Sequence, residues 1–328
     1  MTTQAAGLAD HADVDSDDLQ LVITVQRTCL LTALALSSLT FGSKACPLEF
    51  TRCVKKPMGL WLSILLSVFV SPIIAYVLVR AVQLNVYDGI ALMVTACCPA
   101  GNLSPIFAYY TNSDICLCLA VIVLSNLMSV GMIPLGMFFC ASAYTELDLT
   151  IIPSRLIMLT MFVCIGCLTM GMGFRAYKEK WADRFVKMFS WTPIAVILLM
   201  VTIMGVKVPT SLHASPKEVL TTLLYIVTVL AGTYGAGKLA GRDHDVCSAM
   251  ALCTASKSVA VSLTILHVSF EGGLLVSTLP VPVIFLVVYI VIGLVLSAVS
   301  KAYEYYNFTA FSQLLGNLRP SDLKGVQV

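Results

Sequence analysis

Nine apolar stretches of about 20 or more residues, each free of Asp and Glu, follow one another along this 328-residue chain. At about 1.5 Å of rise per residue, a helix of that length crosses roughly 30 Å of hydrocarbon. The sequence therefore predicts an all-α polytopic membrane protein with nine transmembrane helices, near residues 19–42, 57–82, 88–111, 115–140, 150–173, 188–206, 218–240, 246–269 and 275–300. No joining segment is longer than about fifteen residues, so no soluble domain is inserted and the loops are expected to do little beyond connecting helices. Apolar residues make up 58% of the chain and charged ones 12%, which excludes a soluble enzyme carrying a small anchor. A net charge of +2 is no basic surface, and nucleic-acid binding falls with it.

Charge sets the expected orientation. Lys44, Arg52, Lys55 and Lys56 follow the first span; Arg175, Lys178, Lys180, Arg184 and Lys187 follow the fifth; Lys238 and Arg242 follow the seventh; Lys301, Arg319 and Lys324 lie in the tail. Fourteen of the twenty cations thus fall on one side, which by the positive-inside rule is cytoplasmic. The expected domains are an extracellular acidic tail (1–18), a nine-span region (19–305) and a cytoplasmic tail (306–328), with the plasma membrane as the favoured location. The first 26 residues hold Asp10, Asp13, Asp15, Asp17 and Asp18 without a Lys or Arg, so the first span does not read as a cleaved signal. Ten of the twelve cysteines fall in or at the edge of apolar spans and read as small membrane hydrophobes, not as a disulfide scaffold. Cys164 and Cys167 have C-x-x-C spacing but no companion pair, so no metal site is expected. The sequons at Asn102 and Asn307 lie in a span and in the tail, where neither should carry sugar.

Two spans are interrupted. The third, GIALMVTACCPAGNLSPIFAYYT, gathers Pro99, Gly101, Asn102, Ser104 and Pro105 near its middle, and prolines there remove amide donors. The eighth carries Thr254, Ser256, Lys257 and Ser258 at similar depth. Five spans apart, the two run in opposite directions, the pattern of an inverted repeat, and paired broken helices point to the binding site of a secondary transporter. Irregular backbone at that depth must be buried in protein or line a polar cavity.

These residues also carry a resemblance. CCPAGNLSPIF in span three, PLEFTRCVKKPMGL after span one, GMIPL in span four and SLTILHVSF closing span eight resemble the bile acid:sodium symporter family, from about residue 19 to 305. The resemblance implies a core from spans near 57–140 and 218–300, a panel from spans near 19–42 and 150–206, two crossed discontinuous helices and a substrate crevice. It implies sodium-site positions at Ser67, Ser104, Pro105, Cys118, Ile122, Cys253 and Lys257, of which only Ser104 keeps the family residue. Na⁺ takes oxygen ligands, and Ile, Pro and Cys side chains offer none, so the resemblance implies Na⁺ coupling while these residues argue against it. All eighteen acidic residues lie in the amino tail, in loops or at span ends, Asp88, Asp114 and Glu271 among them, so the usual carboxylate proton relay is missing too.

A Lys at the bilayer centre costs about 2.5 to 3.5 kcal/mol on insertion scales, so Lys257 should face a cavity or a partner. Four roles are open to it: a fixed cation where related carriers hold sodium, an attractor of a substrate anion, a neutral amine that carries a proton, or a snorkelling side chain. The candidate substrate-binding residues are Asn102, Ser104, Lys257, Ser258 and Asn126, with Ser125 and Ser129 beside the crossover. Arg27 reads as snorkelling outward and His267 as a satisfied interfacial histidine.

The leading function is a secondary-type carrier of organic anions such as bile acids or sulfated steroids. A non-transporting receptor-like or regulatory protein on the same scaffold is the second. A metalloid or anion exporter using Cys97, Cys98 and Cys253 as soft ligands is the third. Catalytic signatures such as HExxH or a phosphate-cradling loop are missing, so the chain is read as no enzyme, and the sequence asks for no cofactor. The expected partners are a small organic anion and the lipid bilayer; a homodimer is one permitted assembly.

Overall fold

The computed structural model describes residues 57–143, 154–189, 215–270 and 278–317, with a scattered set between 24 and 43. The acidic tail, Arg27, most of the span near 188–206, Glu271 and the last eleven residues lie outside the described residues. Every described element is helical. In chain order they are α1 (Pro57–Leu65), a π-helical turn (Leu66–Val70), α2 (Ser71–Val82), α3 (Val86–Cys97), α4 (Ser104–Tyr110), α5 (Ile115–Ala143) and α6 (Ser154–Tyr177). There follow α7 (Glu179–Phe189), α8 (Pro216–Leu239), α9 (His244–Ala255), α10 (Val259–Ser269) and α11 (Pro280–Asn317).

Among the described residues, three stretches, Met58–Val82, Pro216–Leu239 and Pro280–Tyr306, are long and apolar enough to cross a membrane by themselves. Their outer faces show why hydrocarbon suits them. Met58, Trp61, Leu65, Phe69, Ile73 and Val77 recur every three or four residues along α1 and α2, each more than half exposed. A comparable stripe of Val287, Val291, Leu294, Val295 and Val299 marks α11. The inner faces meet in one apolar cluster that draws on α1 to α5 and α8 to α11, with Tyr225, Tyr289 and Phe285 among its largest fully buried side chains. Helix α8 packs on α9, α11 and α2, and α3 packs on α2, α5 and α10.

The interruptions fall where the sequence placed them. Pro99 ends α3, and Pro105 sits in the first turn of α4, where a missing amide costs nothing. Helix α9 stops at Ala255 and α10 starts at Val259. The freed backbone of one break is satisfied by the other: Gly101 N donates to Ser256 O at 3.1 Å, and Ser258 N donates to Pro99 O at 2.9 Å. Ala100 and Lys257 form an antiparallel bridge at this crossing, and Ala100 N donates to Ser125 Oγ of α5 at 3.1 Å. Two features differ from expectation: the segment after α6 is a helix, α7, and not a plain loop, and α11 runs on beyond residue 300 to Asn317.

The crossing tolerates no side chain at Gly101, because a Cβ there would sit 2.6 Å from the Lys257 carbonyl oxygen. Gly101→Val should lower stability by about 1–3 kcal/mol through overpacking. Thermal unfolding of the detergent-solubilised chain measures this, and an unchanged midpoint would mean that the breaks are not in contact.

Candidate functional site

The site grows from a proline, Pro72, five residues after Ser67 in the chain. In the π-helical turn, Ser71 N donates to Leu66 O, five residues back, so it no longer serves Ser67 O as an α-helix would require. The next donor in that register is Pro72, which has no N–H. The Ser67 carbonyl is left without an intrahelical donor, and a buried carbonyl must find a partner elsewhere. Lys257 fills the vacancy. Its Nζ donates to Ser67 O at 3.1 Å and to Ser67 Oγ at 3.1 Å. The Lys257 side chain comes from the break between α9 and α10 and is buried at 4% exposure, which sets the snorkelling alternative aside.

Four helix ends meet at the crossing: α3 and α9, twelve residues each, end there with their carbonyl rows, and α4 and α10 begin there with their amide rows. The ionisable neighbours of Lys257 among the described residues are Cys97 and Cys98, not carboxylates. The two buried acids, Asp88 and Glu218, sit in the first turns of α3 and α8.

The other positions that the resemblance aligns with sodium ligands lie on α4, α5 and α9. Cys118 of α5 and Cys253 of α9 are both fully buried and face each other, and Cys118 Sγ lies 3.8 Å from Ala249 O. Ile122 is buried beside them on α5, and its carbonyl accepts from Ser125 Oγ at 3.0 Å and Asn126 Nδ2 at 2.7 Å. Ser104 Oγ donates to Gly101 O at 2.8 Å, and Pro105 follows it in α4. Two of the seven positions thus meet as a lysine–serine pair, 190 residues apart in sequence, and two others meet as a pair of buried thiols.

The candidate substrate residues divide as well. Ser104, Lys257 and Ser258 are buried in the crossing, whereas Asn102 and Asn126 are half-buried. Ser125 binds the break directly, Ser129 Oγ donates to Asn126 O at 2.7 Å, and His267 Nδ1 donates to Leu263 O at 3.0 Å within its own helix. Sequence reading missed three supports. Thr95 and Ser262 join α3 to α10 through hydroxyls 2.8 Å apart; Ser71 bonds Tyr225 across α2 and α8; and Tyr289 OH donates to Leu252 O at 3.1 Å. Only the polar residues' position inside apolar helices signalled these, and it names no partner.

Broken membrane helices that satisfy each other's backbone and enclose a charge are the working parts of a secondary transporter. Comparison with known proteins agrees. The model of the family described as "Sodium Bile acid symporter family" matches residues 31–215, more than half of the chain, and the chain belongs to that family. The ileal sodium/bile acid cotransporter of Mus musculus is 23% identical over 284 residues, 86% of this chain and 81% of that protein. The sodium-dependent organic anion transporter of Homo sapiens is 24% identical over 296 residues, 88% of this chain and 75% of that protein. Sodium/bile acid cotransporter 4 of Homo sapiens is 24% identical over 258 residues, 77% of this chain and 59% of that protein. The family is one of membrane transporters, not enzymes, and sodium stands in these names as a transported partner ion, not a resident cofactor.

Removing the ammonium should expose the fault it covers. Lys257→Met leaves Ser67 O without a donor and should cost about 1–3 kcal/mol, whereas Ser67→Ala, which keeps the carbonyl, should cost about 0.5–1.5 kcal/mol. Equal thermal shifts for the two would contradict the assignment of the carbonyl as the principal acceptor.

Proposed function

We propose that this protein is a secondary carrier of organic anions, of the bile-acid or sulfated-steroid kind, whose cycle runs without bound sodium. Nine spans form two inverted halves, with the amino end outside and the tail in the cytoplasm of a plasma-membrane protein. The core takes its helices from 57–140 and 218–300, and rocks against a panel from 19–42 and 150–206. The single observation that carries the reading is the Lys257 Nζ on Ser67 O at 3.1 Å. Both residues stand at positions where the family resemblance implies sodium ligands, and a tethered positive charge there supplies what a bound ion would supply. The second group, Cys118, Ile122, Cys253 and Pro105, offers sulfur and hydrocarbon where a hard cation takes oxygen.

A fixed cation has a second consequence. A mobile Na⁺ enters and leaves with the substrate and couples its gradient to flux, whereas Lys257 stays through the cycle, so net transport follows the anion's own gradient. Asn102 and Asn126 are the polar edges on the crevice side that meet the anion, with Ser104, Lys257 and Ser258 holding the crossing behind them.

Uptake of a labelled bile acid or sulfated steroid into vesicles containing the purified protein, with Na⁺ or K⁺ outside, tests this. The expected flux is the same in both salts and is lost or made ion-sensitive in Lys257→Gln. Flux that needs Na⁺ would overturn the sodium-free cycle. No flux of any organic anion would overturn the carrier and leave a receptor-like protein, and thiol-sensitive flux of a metalloid would assign the scaffold to Cys97, Cys98 and Cys253.

A further inference from the structure

The helix after α6 is built for something more than connection. In EKWADRFVKMF, Lys180, Arg184 and Lys187 recur at i, i+4 and i+7, and Trp181, Phe185 and Met188 repeat the pattern one residue on. With about 100° between neighbours, a cationic stripe and an apolar stripe run side by side along α7. Its inner side is seated on the protein: Ala182 is fully buried, and the Phe185 ring meets Phe174 of α6 edge-on at 6.2 Å. Trp181 and Met188 stay outside, 56% and 69% exposed.

The charges are unevenly matched. Both acids of α7 are engaged by one residue of α6: Arg175 Nη1 donates to Asp183 Oδ1 at 3.1 Å, and its Nη2 lies 3.9 Å from Glu179 Oε1. The same Nη1 donates to Ser43 O at 2.9 Å, tying this corner to the first span. Among the described residues, no carboxylate pairs with Lys180, Arg184 or Lys187. The Arg184 guanidinium lies over the Trp181 ring at 4.7 Å, which joins the two stripes. Helix α7 begins two residues after the apolar stretch Phe162–Tyr177 ends.

We infer that α7 is a binding site for anionic phospholipid, its cationic stripe on the phosphates and its apolar stripe beside the upper acyl chains. Choline cancels the phosphate charge of a zwitterionic lipid, so a surplus of unpaired cations selects lipids with net negative charge. The guanidinium of Arg184 can grip a phosphate through two parallel N–H bonds, and the lysines add point charge. A soluble acidic partner would match the cations but would leave Trp181 and Met188 without hydrocarbon.

Trp181 reports directly. With Trp61→Phe and Trp191→Phe in the full chain, its fluorescence is read in nanodiscs of phosphatidylcholine plus phosphatidylserine, with the acyl chains of one or the other brominated. At about 1 kcal/mol per cation near the surface, each of the three adds roughly a fivefold preference at low salt. Brominated phosphatidylserine should quench more strongly than brominated phosphatidylcholine at equal content, and high salt should weaken the difference. Lys180→Gln/Arg184→Gln/Lys187→Gln should erase the preference while phosphatidylcholine still quenches, which shows that the helix has stayed in place. Lys180→Arg/Lys187→Arg should keep it. Equal quenching by both lipids in the unsubstituted helix would overturn the proposal, as would no quenching by either.

Discussion

The crossing depends on backbone groups that two broken helices leave without a partner of their own. Inside a membrane each such amide or carbonyl left unsatisfied would cost several kcal/mol. The breaks survive because they answer one another: Gly101 N to Ser256 O, Ser258 N to Pro99 O, and Ala100 N to Ser125 Oγ. Neither break could exist alone. The same reasoning extends one helix further, where the π-helical turn and Pro72 orphan the Ser67 carbonyl, and Lys257 from the crossing comes to satisfy it. A single rule of donor and acceptor accounting thus links α2, α3, α5 and α9 around one buried charge.

The Lys257 amine also bears on the sodium coupling that the names of this chain's relatives carry. In a sodium-coupled carrier the positive charge at the crossing is a diffusing ion, and its arrival is what couples two gradients. In the sodium-free cycle proposed for this chain, that role falls to the Lys257 amine, which is tethered to the backbone and held on Ser67. The thiols of Cys118 and Cys253 and the side chain of Ile122 are consistent with relaxed demand for oxygen at the neighbouring positions, since an apolar wall suffices where no ion must be dehydrated.

How far the sequence alone reaches can be judged element by element. The spans near 57–82, 115–140 and 218–240 are legible because twenty or more apolar residues in a row leave few alternatives, and α1 to α2, α5 and α8 begin within two residues of expectation. The breaks are legible because Pro99, Gly101 and Pro105 act locally on the helix that contains them. Partnership is not local. Nothing in the string says that the Lys257 ammonium meets Ser67, 190 positions away, or that Cys118 faces Cys253. The family resemblance grouped those residues but could not separate the lysine–serine pair from the thiol group. Helix α7 was hidden for another reason: its eleven residues are too polar on one side to register as a span, and only their i, i+4, i+7 spacing betrays the second side.

The central claim is that the crossing already holds its cation. An ion that binds the folded state alone must stabilise it in proportion to its own concentration, whatever the substrate turns out to be. The most direct measurement is therefore the unfolding midpoint of the purified chain as Na⁺ replaces K⁺ at constant ionic strength. A fixed ammonium predicts no change across the titration. A midpoint that climbs with Na⁺ and saturates would show a specific sodium site in the folded protein and contradict the account.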